Sequence, residues 1–251
     1  MMFLKWSAPS PKKKLKTGKH NMPGSTTGRE YSLPWYSRLF RPVSLAIFRN
    51  LFRLLSRVQI TGAENIPEEG AYIIAGNHVS IFEPPLIAAF WPRSIEVAGA
   101  VEILDRPIQS QIMRLYGTIP VHRGRFDRQL LITIVERLKA GRPVLIFPEG
   151  TRSRTPGMQQ ASTGAAYLAA KARVNVLPVG IAGTDILADE IRKFRRTHLM
   201  MSVGEMIELP EIPWRSAERK EILRLHTERI MHAIADLLPS DYHGLYAGGS
   251  R

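Results

Sequence analysis

Between Val58 and Val203 short apolar runs alternate with segments whose apolar residues recur every three or four positions. Short runs of β-branched and large apolar residues bounded by Gly, Pro or Asn fit strands, and the longer spacing fits helices. Strands are therefore expected at Val58–Thr61, Tyr72–Ala75, Ile95–Ala98, Thr118–Val121, Val144–Phe147, Val176–Val179 and Met200–Val203. Helices are expected at Pro84–Phe90, Ile108–Leu115, Arg128–Lys139, Thr163–Ala172 and near Ser216–Leu237. The run Val144-Leu145-Ile146-Phe147 is apolar throughout, as in a sheet covered on both faces. The alternation predicts an α/β fold, a single domain with a mostly parallel or mixed sheet flanked by helices. No internal repeat or linker interrupts it, so one domain is expected over 58–240, with 241–251 as a C-terminal tail.

Upstream of this body the pattern changes. Tyr36, Leu39, Phe40, Val43, Ile47, Leu51, Leu54 and Val58 recur at helical spacing, while Arg38, Arg41, Arg49, Arg53 and Arg57 fall largely on the opposite face. This predicts a basic amphipathic N-terminal helix over 31–57, preceding the domain. No apolar run approaches the roughly 20 residues needed to span a bilayer, and Arg49 and Arg53 interrupt the best stretch. Such a helix lies in a membrane interface more readily than it crosses one. The alternative is that its apolar face packs on the protein's own domain, and both can hold along one helix.

Charge sharpens the picture. Of the net +13, residues 1–58 supply +11, from six lysines and six arginines against Glu30 alone. A basic segment beside a near-neutral body reads as a tether to a polyanion. The amphipathic helix favours an anionic membrane surface over nucleic acid, for which no stacking platform or motif is present. Residues 1–30 are rich in Lys, Pro, Ser and Gly and read as a disordered basic tail. The apolar start Met1–Leu4 is shorter than the core of a secretory signal. The chain has no cysteine, which excludes disulfides, thiolate metal sites and a cysteine nucleophile.

Polar residues fit for chemistry follow the strands, where α/β sheets bind ligands. After Tyr72–Ala75 comes Asn77-His78-Val79-Ser80-Ile81-Phe82-Glu83-Pro84. A His and a carboxylate five positions apart across a strand-to-helix turn can pair. The carboxylate would fix the imidazole tautomer and leave the other nitrogen to take a proton; a structural or solvated histidine is the alternative. The second segment is Gly117-Thr118-Ile119-Pro120-Val121-His122-Arg123-Gly124-Arg125. There Arg123 suits a phosphate, or is a surface arginine in a turn. The third, Phe147-Pro148-Glu149-Gly150-Thr151-Arg152-Ser153, gathers polar groups on a Pro/Gly-shaped loop and lacks the spacing and Lys of a P-loop. The fourth, Val176-Leu177-Pro178-Val179, places a proline in a strand, which signals an edge or bulge more often than a site.

In this order and spacing the four segments resemble the glycerophospholipid acyltransferase family, which includes 1-acylglycerol-3-phosphate O-acyltransferase. The resemblance covers about Val58 to Leu209, and the third segment matches the family pattern in full. It implies transfer of a fatty acyl group from an acyl thioester, acyl-CoA or acyl-carrier protein, to the free hydroxyl of 1-acylglycerol-3-phosphate, giving phosphatidic acid. Another lysophospholipid or lipid alcohol as acceptor, or an inactive lipid-binding relative, are the alternatives. The resemblance makes His78 the general base and Glu83 its orienting carboxylate. It assigns Arg123, Glu149, Gly150, Thr151 and Arg152 to acceptor binding and gives Pro178 the floor of the pocket. It implies no metal and no cofactor beyond the thioester co-substrate, and places the protein at the cytoplasmic face of the cell membrane, peripheral or monotopic. Two positions depart from the pattern. Glu83 stands where the family usually has Asp, and Ala161-Ser162-Thr163-Gly164 stands where many members have Phe-Lys before a Gly.

Overall fold

The structure is a computed structural model, which describes residues 33–100, 107–121, 127–153 and 155–248. Among these, seven strands form one sheet in the order β1-β7-β6-β2-β5-β3-β4. They are β1 (Ser56–Thr61), β2 (Ile73–Gly76), β3 (Glu96–Ala100), β4 (Ile119–Val121), β5 (Val144–Ile146), β6 (Val176–Ala182) and β7 (Thr197–Val203). β6, β2, β5, β3 and β4 run parallel, whereas β7 pairs antiparallel with β6 and β1 follows β7. The expected α/β domain with a mostly parallel, mixed sheet is therefore the fold observed.

The helices are α1 (Trp35–Leu55), α2 (Glu83–Phe90), α3 (Pro107–Tyr116), α4 (Arg128–Lys139), α5 (Gly164–Ala172), α6 (Leu187–Arg192) and α7 (Arg219–Ala235). They cover both faces of the sheet, and β2 shows the reason. Ile73 and Ala75 pack into a cluster with residues of α4, α5 and α7, while Tyr72 and Ile74 pack with residues of α1, α2 and α3. Side chains alternate across a strand, so a strand that is apolar at every position needs a layer on each side. α4 opens on Asp127, whose side chain accepts from Leu130 N–H at 3.0 Å, a cap that satisfies one orphan donor of the first turn.

Three expectations need correction. The N-terminal helix ends at Leu55, and Ser56 and Arg57 already belong to β1. Its faces divide otherwise than the spacing suggests: Phe40, grouped with the apolar stripe, is half-buried and packs with Leu45, Phe48 and Phe52 on the core. Arg41, grouped by spacing with the exposed Arg38 and Arg53, is 3% exposed and turns inward beside the buried Ser37, Ser44 and Phe52. The stripe Tyr36, Leu39, Val43, Ile47, Leu51 and Leu54 points outward, with Leu39 66% and Leu54 70% exposed. The physical reason is a buried acid on β3, Glu96, which draws Arg41 inward. Finally, residues 241–248 are no free tail. They form two short 3-10 turns, Ser240–Tyr242 and Gly244–Tyr246, and Tyr246 is buried in the core. The proposed tail 1–30 and Arg123 lie outside the described residues.

Pro178 sits inside the sheet, between β2 and β7, and not at an edge. The pairing on its β7 side slips there by one residue: Val179 faces Val203, but Val176 faces Ile207. Pro178 O accepts from Gly204 N–H at 3.0 Å in the gap. Its missing N–H thus falls in a local bulge, where no ladder bond is lost. Gly204 leaves room for it, since a Cβ there would lie 2.9 Å from Pro178 Cγ.

Candidate active site

At the carboxyl end of β2 the fully buried Asn77 replaces the next step of the sheet. Its Oδ1 accepts from Ile181 N–H and its Nδ2 donates to Ile181 O, both at 2.8 Å. With its neighbour tied to β6 in this way, the chain turns out of the sheet at His78. Two further bonds fix His78 to the loop after β5: its N–H donates to Glu149 Oε1 at 2.8 Å, and its carbonyl accepts from Ser153 N–H at 2.8 Å. The imidazole stacks on Phe147, with ring centroids 4.2 Å apart and planes 19° from parallel.

Glu83 opens α2, with Pro84 and Pro85 directly after it. Proline tolerates the first turn of a helix because its missing N–H would be unpaired there anyway. The Glu83 carboxylate is fully buried and turns back into the loop it follows. Oε2 lies 2.7 Å from His78 Nδ1 and accepts from Ser80 N–H at 2.9 Å. Oε1 accepts from the hydroxyl of Thr184, itself fully buried in the connection after β6. A carboxylate that accepts at Nδ1 sets the imidazole as the Nδ1–H tautomer and leaves Nε2 as the basic nitrogen. The extra methylene of Glu relative to Asp is taken up by this turn, so the pair forms.

Glu149 is buried on the loop Phe147-Pro148-Glu149-Gly150, a turn closed by Gly150 N–H donating to Phe147 O at 3.0 Å, with Gly150 at φ 70°. Glu149 Oε2 accepts from Gln159 N–H at 2.8 Å, so each carboxylate oxygen holds a backbone donor from a different loop. Burial pushes Glu149 up to about 7, against the bonds from Gln159 and His78, and the nearby Glu83 adds to the rise. Gly150, Thr151 and Arg152 are exposed on the tip of this loop. The structure therefore joins His78 to Glu83 through its ring and to Glu149 through its backbone N–H, and leaves Gly150, Thr151 and Arg152 exposed beside them.

Sequence reasoning missed Thr184 and Tyr242. Thr184 lies 101 residues from Glu83 and carries no motif. Tyr242 stood in the expected tail; its hydroxyl donates to Asp185 Oδ1 at 2.6 Å and accepts from Gly183 N–H at 2.9 Å.

Comparison with known proteins decides the family. A family model described as "Acyltransferase" matches residues 57–182, half of the chain. The chain belongs to that acyltransferase family. It is 28% identical over 131 residues to the 1-acyl-sn-glycerol-3-phosphate acyltransferase of Borreliella burgdorferi, covering 51% of this chain and 52% of that protein. It is 32% identical over 107 residues to the lyso-ornithine lipid O-acyltransferase of Pseudomonas aeruginosa, covering 42% and 41%. The chain thus spans about half the length of the curated relatives it matches. Among solved structures it resembles the 1-acyl-sn-glycerophosphate acyltransferase PlsC of Thermotoga maritima, with a TM-score of 0.59, 25% identity and coverage of 80% of this chain and 81% of that one. The family match contains His78, Glu83, Arg123 and Glu149 through Arg152, and stops two residues short of Thr184.

Proposed function

We propose that the protein is a lipid O-acyltransferase that moves a fatty acyl group from an acyl thioester to the free hydroxyl of 1-acylglycerol-3-phosphate. The observation that carries this reading is the His78–Glu83 pair at 2.7 Å, with Nδ1 held and Nε2 left to act. In the proposed step Nε2 takes the acceptor hydroxyl proton as the oxygen attacks the thioester carbonyl. The tetrahedral intermediate collapses by breaking the C–S bond, and the departing thiolate receives the proton from the imidazolium. Glu83 stabilises the charge that appears on the ring during the step. No metal or cofactor takes part in the step as written; acyl-CoA or acyl-carrier protein serves as co-substrate.

Arg123 and Arg152, with the Glu149–Thr151 turn, are proposed to hold the acceptor head group. The guanidinium fork suits phosphate oxygens. A second acceptor, a lysolipid without a phosphate monoester, is favoured by one feature. Where many family members carry Phe-Lys, Ala161 and Ser162 stand here, and the Ser162 hydroxyl donates to Pro148 O at 3.2 Å. The relationship to a lyso-ornithine lipid acyltransferase points the same way.

We also propose that the protein works at an anionic membrane surface, on the cytoplasmic face, in a peripheral or monotopic manner. The outward apolar stripe of α1 supports this, because a contiguous exposed apolar face flanked by cations suits the headgroup boundary. Among the described residues no helix is long and apolar enough to cross a membrane. Topology supports this for the last part of the stripe, Leu51 and Leu54: β1, which follows α1 directly, begins beside the start of β7, at the same end of the sheet as the carboxyl ends of β6 and β2. Phe194, 99% exposed in the connection leading to β7, is at that end too.

The test is an assay of the purified full-length protein in detergent with a panel of lysolipids and acyl thioesters, read by mass spectrometry. Acylated product that depends on His78 supports the reading. No product from any pair sinks it, and preference for a phosphate-free acceptor selects the second acceptor.

A further inference from the structure

The carboxylate that orients His78 is itself held from behind by residues that lie outside the family match. The connection from β6 to β7 starts at Gly183, with φ at 86°, where a Cβ would run into the carbonyl oxygen of His198. Only glycine takes that backbone without strain in so tight a place. Tyr242 closes on the same turn from both sides of Thr184: its hydroxyl accepts from Gly183 N–H at 2.9 Å and donates to Asp185 Oδ1 at 2.6 Å. Thr184 is fully buried between these anchors, and its hydroxyl donates to Glu83 Oε1.

We propose that Thr184 is a positioning residue that locks the Glu83 carboxylate in its working orientation, and that Tyr242 holds the turn that presents Thr184. The proposal rests on the acyltransferase reading of His78 and Glu83. Its physical basis is the last torsion of a glutamate, which is broad and roughly two-fold. Contacts at Oε2 alone, from His78 Nδ1 and Ser80 N–H, leave Oε1 without a partner in a fully buried site. A hydroxyl on Oε1 fixes the plane of the carboxylate and supports its negative charge where water cannot. This also accounts for how a glutamate serves in place of the shorter aspartate. Its extra length carries Oε1 to a donor on a neighbouring strand connection while Oε2 stays with the histidine.

The experiment compares Thr184→Val, Thr184→Ser and Tyr242→Phe in the full-length protein. Thr184→Val should lower kcat roughly tenfold to a hundredfold, as a displaced general base does. KM for the lysolipid should stay within about twofold, because the lost contact acts on the charged ring of the transition state. Removing a donor to the anionic form raises the proton affinity of the pair as a whole. The acid limb of the rate–pH profile should accordingly move to higher pH. Thr184→Ser should return most of the rate and the original limb, and Tyr242→Phe should shift both measures in the direction of Thr184→Val by less.

A second readout needs no turnover. The His78 Nδ1–H proton should give a low-field NMR signal in the wild type and in Thr184→Ser, and lose it to exchange in Thr184→Val. If the wild type acylates no lysolipid but these ring signals behave as stated, the acyl-transfer reading fails and the positioning survives. A Thr184→Val protein that keeps its kcat and acid limb, or changes KM alone, or retains the ring signal, overturns the proposal. So does a serine variant no better than valine. Should Thr184→Val fail to fold, Thr184→Ala carries the same expectations, and Tyr242→Phe the smaller shift already stated.

Discussion

Arg41 on α1 and Glu96 on β3 form a buried two-point ion pair, with Nη1–Oε1 and Nη2–Oε2 both at 2.9 Å. Arg41 Nε also donates to the carbonyl of Tyr116 at 2.7 Å, and its guanidinium lies 4.5 Å from that ring's centroid. Arg142 reaches the same carboxylate at 3.3 Å. Burial alone would raise Glu96, but the bonds and charges of Arg41, joined by Arg142, hold it below the usual carboxylate range. The pair therefore fixes the roll of α1 about its axis, and with it the side on which the apolar stripe emerges.

Removing Arg41 takes away the two-point partner of the buried Glu96 and leaves the longer contact from Arg142. Arg41→Ala should cost about 3–5 kcal/mol of unfolding free energy, whereas replacing both residues by apolar ones of similar volume should cost less. Urea unfolding of the single and double variants in detergent measures the difference. A double-variant loss equal to the sum of the two single losses would show that the charges do not depend on each other.

The stripe itself should matter for place and not for stability. Val43→Asp or Ile47→Asp changes a side chain that is 53% or 61% exposed, so thermal unfolding should stay close to wild type. Vesicle binding should fall about tenfold or more per substitution, since burying one such side chain is worth roughly 1.5–3 kcal/mol. Sedimentation with anionic vesicles at low salt reads the effect.

The helix illustrates what local pattern conveys and what it does not. Its existence and its apolar stripe were legible from spacing, as were all seven strands, because each is a periodic or continuous apolar run. That Arg41 turns inward depended on Glu96, 55 residues away, and periodicity is silent on a buried ionic partner. α6 was missed because six residues hold less than two turns, too few for a period to declare itself. β6 and β7 run longer than expected: antiparallel pairing with β7 carries β6 on to Ala182, and parallel pairing with β1 carries β7 back to Thr197. At the site, His78, Glu83 and Glu149 were legible because each lies in a segment with a strand-end motif. Thr184 and Tyr242 were not, because each acts through a single hydroxyl brought in by long-range topology.

Glu83 invites a test of length against charge. Its carboxylate reaches His78 Nδ1, Ser80 N–H and the Thr184 hydroxyl at once. An aspartate is shorter by roughly 1.5 Å and must abandon a contact on one side. Glu83→Asp should lower kcat about tenfold to a hundredfold with little change in lysolipid KM. Glu83→Gln should do at least as much, because an amide nitrogen would face a donor. His78→Ala should remove about 10²–10⁴-fold of rate. Steady-state kinetics of the three variants decides; an aspartate variant faster than wild type would show that the turn is not built around glutamate.

Glu149 gives the site a dependence on pH that can be assigned a sign. In the folded protein it titrates at about 7, raised from 4.5 by burial. Between these values the native state holds a proton that the unfolded chain has released. Stability contributed by this group is therefore full below about 4.5, declines as pH rises through the window, and levels off above about 7. The decline amounts to about 3 kcal/mol on the scale of 1.36 kcal/mol per pH unit. Glu149→Gln cannot titrate, so its unfolding free energy should lack this slope. It should also be less stable than wild type at low pH by about 1–3 kcal/mol, because the amide NH2 must face the N–H of His78 or of Gln159 and leave a buried donor unpaired. Urea unfolding of both proteins at a series of pH values from 4.5 to 8 separates the two effects. A glutamine variant with the wild-type slope would move the titration to another group, and one with no slope and full stability at low pH would mean that the two backbone donors find other partners.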